Sequence, residues 1–172
     1  MYSICCTRKL LDRGGRRQLV SPASPTTVLG NWYTNIVFAR PEQLVVCISE
    51  NTLLPVVVPA KDFTRLPERI ASAVSDILKV IEVPDDDIAA EFLEMQDAHF
   101  SKTTDRRILG CLNDFVFHVQ HGAGSHPELS LHERALRLAR MPCASLEYAY
   151  PSEAALAAFI ASKALKAAKS AA

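Results

Sequence analysis

The chain carries no net charge: its 19 basic residues are balanced by 19 acidic ones. No global field therefore draws it to nucleic acid or to an anionic lipid surface. No apolar run approaches the ~20 residues needed to span a bilayer, so no membrane partner is expected. Arg8 and Lys9 interrupt what would be the apolar region of a secretory signal, and the chain is expected to stay in the cytoplasm. It has no P-loop, no dinucleotide glycine pattern and no G-x-S-x-G, which removes the readable signatures of nucleotide binding and serine hydrolysis. It also lacks C-x-x-C and any internal repeat. The five cysteines are odd in number and only Cys5 and Cys6 are neighbours, so they read as reduced, mostly buried thiols.

What is present fits an ordinary globular domain. With 172 residues, 49% hydrophobic and 22% charged, the chain can bury one real core. The charge is unevenly placed. Residues 1–20 hold five Arg or Lys against Asp12 alone, while 82–97 hold seven acids and no base. Solvated surface explains both patches more simply than mutual recognition does.

Residues 2–7 read as a short strand, 8–17 as a basic turn broken by Gly14 and Gly15, and 21–25 as a loose loop. Residues 32–39 and 44–49 read as a hairpin across a turn at 40–43. Pro55 and Pro59 confine the third strand, 53–58, to an edge. Helical periodicity follows over 62–81 and 85–96, the second with Ile88, Phe92 and Met95 or Leu93 as its buried edge. His99 and Phe100 form a connector or short strand. The next helix runs from Asp105 to a composition break at 122–127. Two further helices, 129–140 and 152–170, lie beyond it. The fold class is therefore α+β: a small, mostly antiparallel sheet against a helical layer. Residues 1–122 form the domain, and 123–172 a helical extension docked through Leu156, Phe159 and Ile160.

The helix after Asp105 has two unlike sides. Ile108, Leu109, Leu112, Phe115, Val116 and Val119 share an arc of roughly 120°, a core-facing stripe. Arg106, Gly110, Asn113 and Phe117 line up opposite, with Asp114 at the edge. An arginine, an amide and a carboxylate around a glycine make an unusual solvent face, because glycine admits close approach.

Four short motifs, in order and spacing, carry a family resemblance. They are Ile4-x-Cys6-Thr7-x-Lys9-Leu10-Leu11, Gly30-x-Trp32-Tyr33-x-Asn35, Glu50-Asn51-Thr52-Leu53-x-Pro55 and Thr104-x-Arg106-x-x-Leu109-Gly110-x-x-Asn113-Asp114. Over about 1–121 the chain resembles the small prokaryotic family named domain of unknown function 6933. The resemblance implies a compact bacterial α+β domain with the last motif's helix at its centre, and it brings no activity. The 13–28 loop and everything after Gly122 look like additions peculiar to this chain.

The candidate binding residues are Trp32, Tyr33, Asn35, Arg106, Asn113 and Asp114. Trp32 and Tyr33 point to opposite faces of one strand, so one belongs to the core and the other can line a groove. Arg106 and Asp114, joined by Asn113, fit a buried ion pair tying helix to sheet. The competing reading makes Asp105 and Asp114 an acid/base pair of a small hydrolase or transferase, with Arg106 holding an anion. His118 and His121 are three apart on the helix, but H-E-x-x-H and paired cysteines are missing, so no metal and no cofactor is expected. The reading favoured is a non-catalytic binding module for a protein or small-molecule partner, able to self-associate through its C-terminal helix.

Overall fold

The β-branched and aromatic runs become strands and the amphipathic runs become helices. The strands are β1 (Tyr2–Cys6), β2 (Trp32–Ala39), β3 (Glu42–Ser49), β4 (Pro55–Pro59) and β5 (Ala98–Lys102). The helices are α1 (Arg8–Gly14), α2 (Leu66–Val80), α3 (Asp85–Glu94), α4 (Arg106–Ser125), α5 (Leu131–Ala139) and α6 (Pro151–Ser170). The computed structural model describes residues 1–14, 18–22, 24–39, 41–126 and 128–170, with backbone alone at 123–125 and 170. Gly15, Ala23, Arg40 and Pro127, which the sequence places in turns, a loop and a helix break, lie outside the described residues.

The strands form one mixed sheet in the order β4-β3-β2-β1-β5. The β2–β3 hairpin and the β3–β4 pair are antiparallel, whereas β1 is parallel to both β2 and β5. β4 takes the expected edge, with Pro55 and Pro59 at its ends, where a missing N–H costs the ladder least. β5 at the far edge is only partly buried, but β1 to β4 are buried almost throughout because helices cover both faces. Alternation along β2 separates them. Tyr33 and Asn35 face α4, whereas the Phe38 ring lies 5.0 Å from Lys9 Nζ of α1. Among the described residues, no helix is long and apolar enough to cross a membrane.

The Glu50 motif is engaged by internal bonds, through Asn31 beside Gly30. Asn31 accepts from Ser3 N at 2.8 Å and donates to Glu50 at 2.9 Å, and Asn51 donates to Val28 O at 2.9 Å. Gly30 stands at φ +81°, and a Cβ added there would meet the Asn51 side-chain amide at 3.0 Å, so a side chain there would be strained.

The structure corrects several local expectations. Residues 8–14 are helix, not turn: glycine ends the element at Gly14 without preventing it. On α3, Ile88 and Met95 are buried, but Phe92 and Leu93 are exposed. The buried residue between them is Glu91, whose carboxylate accepts from Val28 N at 2.7 Å and Leu29 N at 3.0 Å. Sequence periodicity does not find it, because a buried acid looks like a solvent position until its donors are known. α4 passes through Gly122 and ends at Ser125. On α6, Ala155 and Phe159 are buried while Ile160 is exposed.

Candidate functional site

α4 begins where β5 ends. Asp105 caps it, its Oδ1 accepting from Arg107 N at 2.7 Å and Ile108 N at 3.2 Å. Two of the helix's unpaired amides are thereby satisfied, which is worth about 1 kcal/mol. Ile108, Leu112, Phe115 and Val119 enter the core as their spacing requires. Arg106, Gly110, Asn113, Asp114 and Phe117 remain exposed. The buried ion pair is therefore not formed: among the described residues, neither Arg106 nor Asp114 takes part in a salt bridge. The reason is geometric. Eight residues of helix separate the two along the axis by about 12 Å, too far for a guanidinium to reach a carboxylate. Asp105 and Asp114 are further apart still, so they do not form an acid/base pair on one substrate atom.

A polar relay joins this helix to the carboxyl end of β1. Thr7 donates to Asn35 Oδ1 at 2.8 Å, and Asn35 Nδ2 donates to Asn113 Oδ1 at 3.4 Å. Beside it, the Tyr33 hydroxyl lies 3.4 Å from Thr104 Oγ1. Burial pushes the Tyr33 phenol up, and the bond to Thr104 acts against that rise. Trp32 and Tyr33 are both buried, so neither ring lines a groove. The sheet's second face, once covered, leaves no exposed side for either. Of the six candidates, the structure brings Asn35 and Asn113 together, seals Trp32 and Tyr33 inside, and leaves Arg106 and Asp114 in solvent.

Asp114 opens onto a cleft of about 320 Å³ between α4 and residues 141–148. Its lining includes Cys111, Phe117, His118, Cys143 and Tyr148. Cys111 Sγ and Ser145 Oγ approach to 3.1 Å across it. Burial first, then the neighbouring Cys111 and Asp114, push the Cys143 thiol up to about 11, the opposite of an activated nucleophile. Phe117 packs against the His121 ring, centroids 4.0 Å apart, and His121 Nδ1 lies 2.8 Å from Phe117 O. Among the described residues, no three His, Cys, Asp or Glu side chains converge as metal ligands. Sequence reasoning missed the wall supplied by 141–148, which is distant in sequence. The two tyrosines at 148 and 150 were the available signal.

A mixed sheet covered by helices on both faces, with one helix turning a polar, notched face outward, defines an α+β domain with an open surface site. The chain belongs to the family described as Domain of unknown function (DUF6933), whose model matches residues 3–154. That match runs past Gly122 and takes in α5 and the 141–148 wall, beyond the span of the sequence resemblance. No curated protein and no solved structure matches the chain.

Proposed function

We propose that the chain is a non-catalytic binding module whose recognition surface is the outward face of α4. One observation carries this reading. The Glu50 motif is taken up by bonds inside the fold, while the α4 motif turns Arg106 and Asp114 to solvent and ties its exposed Asn113 to Asn35 of β2. Gly110 sits among them, and a Cβ added there would meet nothing within 4 Å. Internal packing gives no reason for that glycine, which costs the helix about 1 kcal/mol relative to alanine. A partner backbone lying in the notch between Arg106 and Asn113 gives one. All five cysteines are free, in keeping with a reducing, cytoplasmic setting. Self-association through α6 fits the exposed Ile160 and Leu165 on that helix.

The test is photo-crosslinking in cells from position 117 on α4 and, as control, from exposed position 68 on α2. Discrete adducts from 117 alone, lost in a Gly110→Leu variant that melts like the parent, support the module. Hydrolysis of a phosphate or carboxylate ester that Asp114→Asn abolishes would replace it with the hydrolase reading.

A further inference from the structure

We propose that the cleft between α4 and residues 141–148 is a binding site for an alkylammonium cation. This deepens the binding-module reading and rests on it. The cleft's outer walls are two aromatic rings held in solvent, Phe117 at 57% and Tyr148 at 74% exposure. Exposed rings facing a cavity offer π-faces to a cation, which is the principal use of such walls in ammonium recognition. The Asp114 carboxylate stands at the same opening and, among the described residues, has no salt-bridge partner. Its charge reaches the interior, since it is one of the groups that raise the Cys143 thiol. Met141 and Pro142 complete the lining with apolar surface suited to methyl or methylene groups.

The backbone holds Tyr148 in this place against its own preference. Glu147 and Tyr148 stand consecutively at φ 53° and 66°, a left-handed pair that bulky residues rarely adopt. Tyr148 N donates to Cys143 O at 2.9 Å, and Cys143 N donates to Ala149 O at 3.2 Å, closing a small loop around the strain. Strain of this kind clusters at active sites, ligand clamps and switch regions. Burying Tyr148 cannot be the reason here, because the ring is the most exposed of the large hydrophobic side chains.

The chemistry selects among ligands. A carboxylate disfavours anions, and a purely apolar ligand would gain nothing from it. At about 320 Å³ the cleft is near the small end of ligand pockets, enough for a branched ammonium head on a short stem. Among the described residues, the lining holds no lysine or arginine to repel a cation. The cation can be a free amine or the side chain of a lysine on a partner protein.

The decisive experiment titrates the full chain with three probes at matched ionic strength, observed through the ligand's methyl NMR signals. The probes are choline, an N-acetylated trimethyllysine amide, and 3,3-dimethylbutan-1-ol, the uncharged carbon isostere of choline. Both cations are expected to bind with upfield ring-current shifts, and the isostere at least about fivefold more weakly. Asp114→Asn and Tyr148→Ala should each weaken choline at least about fivefold without changing the far-ultraviolet spectrum. Tighter binding of the lysine derivative assigns the site to a protein partner; tighter binding of choline assigns it to a free amine. Equal binding of the isostere, or indifference to Asp114→Asn, overturns the proposal. No choline binding, with crosslinks from position 117 intact, overturns the ammonium assignment while the binding-module reading stands.

Discussion

Asn35 of β2 donates through Nδ2 to Oδ1 of Asn113 on α4, 3.4 Å away, while its own Oδ1 accepts from Thr7 at 2.8 Å. The amide thus sits between a strand end and an exposed helix face, bonded firmly on the inner side and loosely on the outer. Asn35→Ala should cost about 1 kcal/mol, since it strands the half-buried Thr7 hydroxyl. Asn113→Ala and Arg106→Ala should each stay within about 0.5 kcal/mol of the parent, as surface substitutions do. Urea melts of the three variants decide this. A loss above about 2 kcal/mol for Arg106→Ala would restore the ion pair that its exposed position denies it.

Glu91 is the acid whose removal should matter most. It is buried and holds two backbone amides of the 27–30 loop, so Glu91→Ala should destabilise by about 2–4 kcal/mol. The pH dependence has a definite sign. Burial, partly offset by the bonds from Leu29 and Val28, raises the Glu91 carboxyl above its ordinary 4.5. The folded state therefore holds the proton more tightly than the unfolded chain. That contribution is complete below pH 4.5 and is lost as pH rises through the folded value. Against Glu91→Gln, which cannot ionise, the parent's relative Tm should fall as pH is raised from about 4 to about 7. A relative Tm that rises would show that the carboxylate, not the acid, is what the loop prefers.

The thiols should divide into two classes. Cys5, Cys6 and Cys47 are buried, and burial pushes Cys5 up to about 12. Cys111 and Cys143 are half-buried at the cleft. In native protein at about pH 8, iodoacetamide should label at most those two, with all five labelled in denaturant. Cys143 should react slowly, with about one molecule in a thousand as thiolate, and its rate should climb about tenfold per pH unit toward 11. Peptide mass spectrometry over a pH series reads this directly. Rapid labelling of Cys143 under the same conditions would mark it as activated and revive a catalytic reading of the cleft.

These expectations show where the sequence was legible. β2 could be read to the residue because its aromatic and β-branched run is bounded by a glycine-led turn and a proline turn. α4 could be read from one cap and one apolar stripe. The parallel pairing of β1 with both neighbours could not, since strand order depends on long connections that leave no periodic signal. The polar strip was visible, but its state was not. Helical spacing places Arg106 and Asp114 near one side, while the axial rise that keeps them apart counts only once a straight helix is built. The cleft was hidden because its second wall comes from a loop whose left-handed Glu147 and Tyr148 carry none of the glycine or asparagine that announces such a turn.

The hydroxyl of Tyr2 gives a stability test independent of the site. It is buried and, among the described residues, has no hydrogen-bond partner, and burial pushes the phenol far up. An unpaired buried hydroxyl carries its full desolvation cost, so Tyr2→Phe should be neutral or stabilising by up to about 1 kcal/mol. Thermal melts of the pair suffice. A loss above about 1 kcal/mol would mean that the hydroxyl is bonded in solution, to ordered water for instance.

Removal of residues 123–172 tests how far the 1–122 core stands alone. α5 packs its buried Ala135, Leu138 and Ala139 over β4, and α6 buries Ala155 and Phe159. Truncation after Gly122 removes the α5 cover of β4, bares part of its valine surface, and leaves that edge strand with less helical cover. The sheet, α1 to α3 and most of α4 keep their mutual contacts, so the fragment should retain far-ultraviolet structure and a cooperative melt at lower temperature. It should bind anilinonaphthalene sulfonate and lose solubility, as a fresh apolar patch beside an exposed edge strand predicts. It should also lose choline binding, because one wall of the cleft goes with residues 141–148. An unfolded fragment would show that α5 belongs to the core and that the division at Gly122 falls inside one cooperative unit.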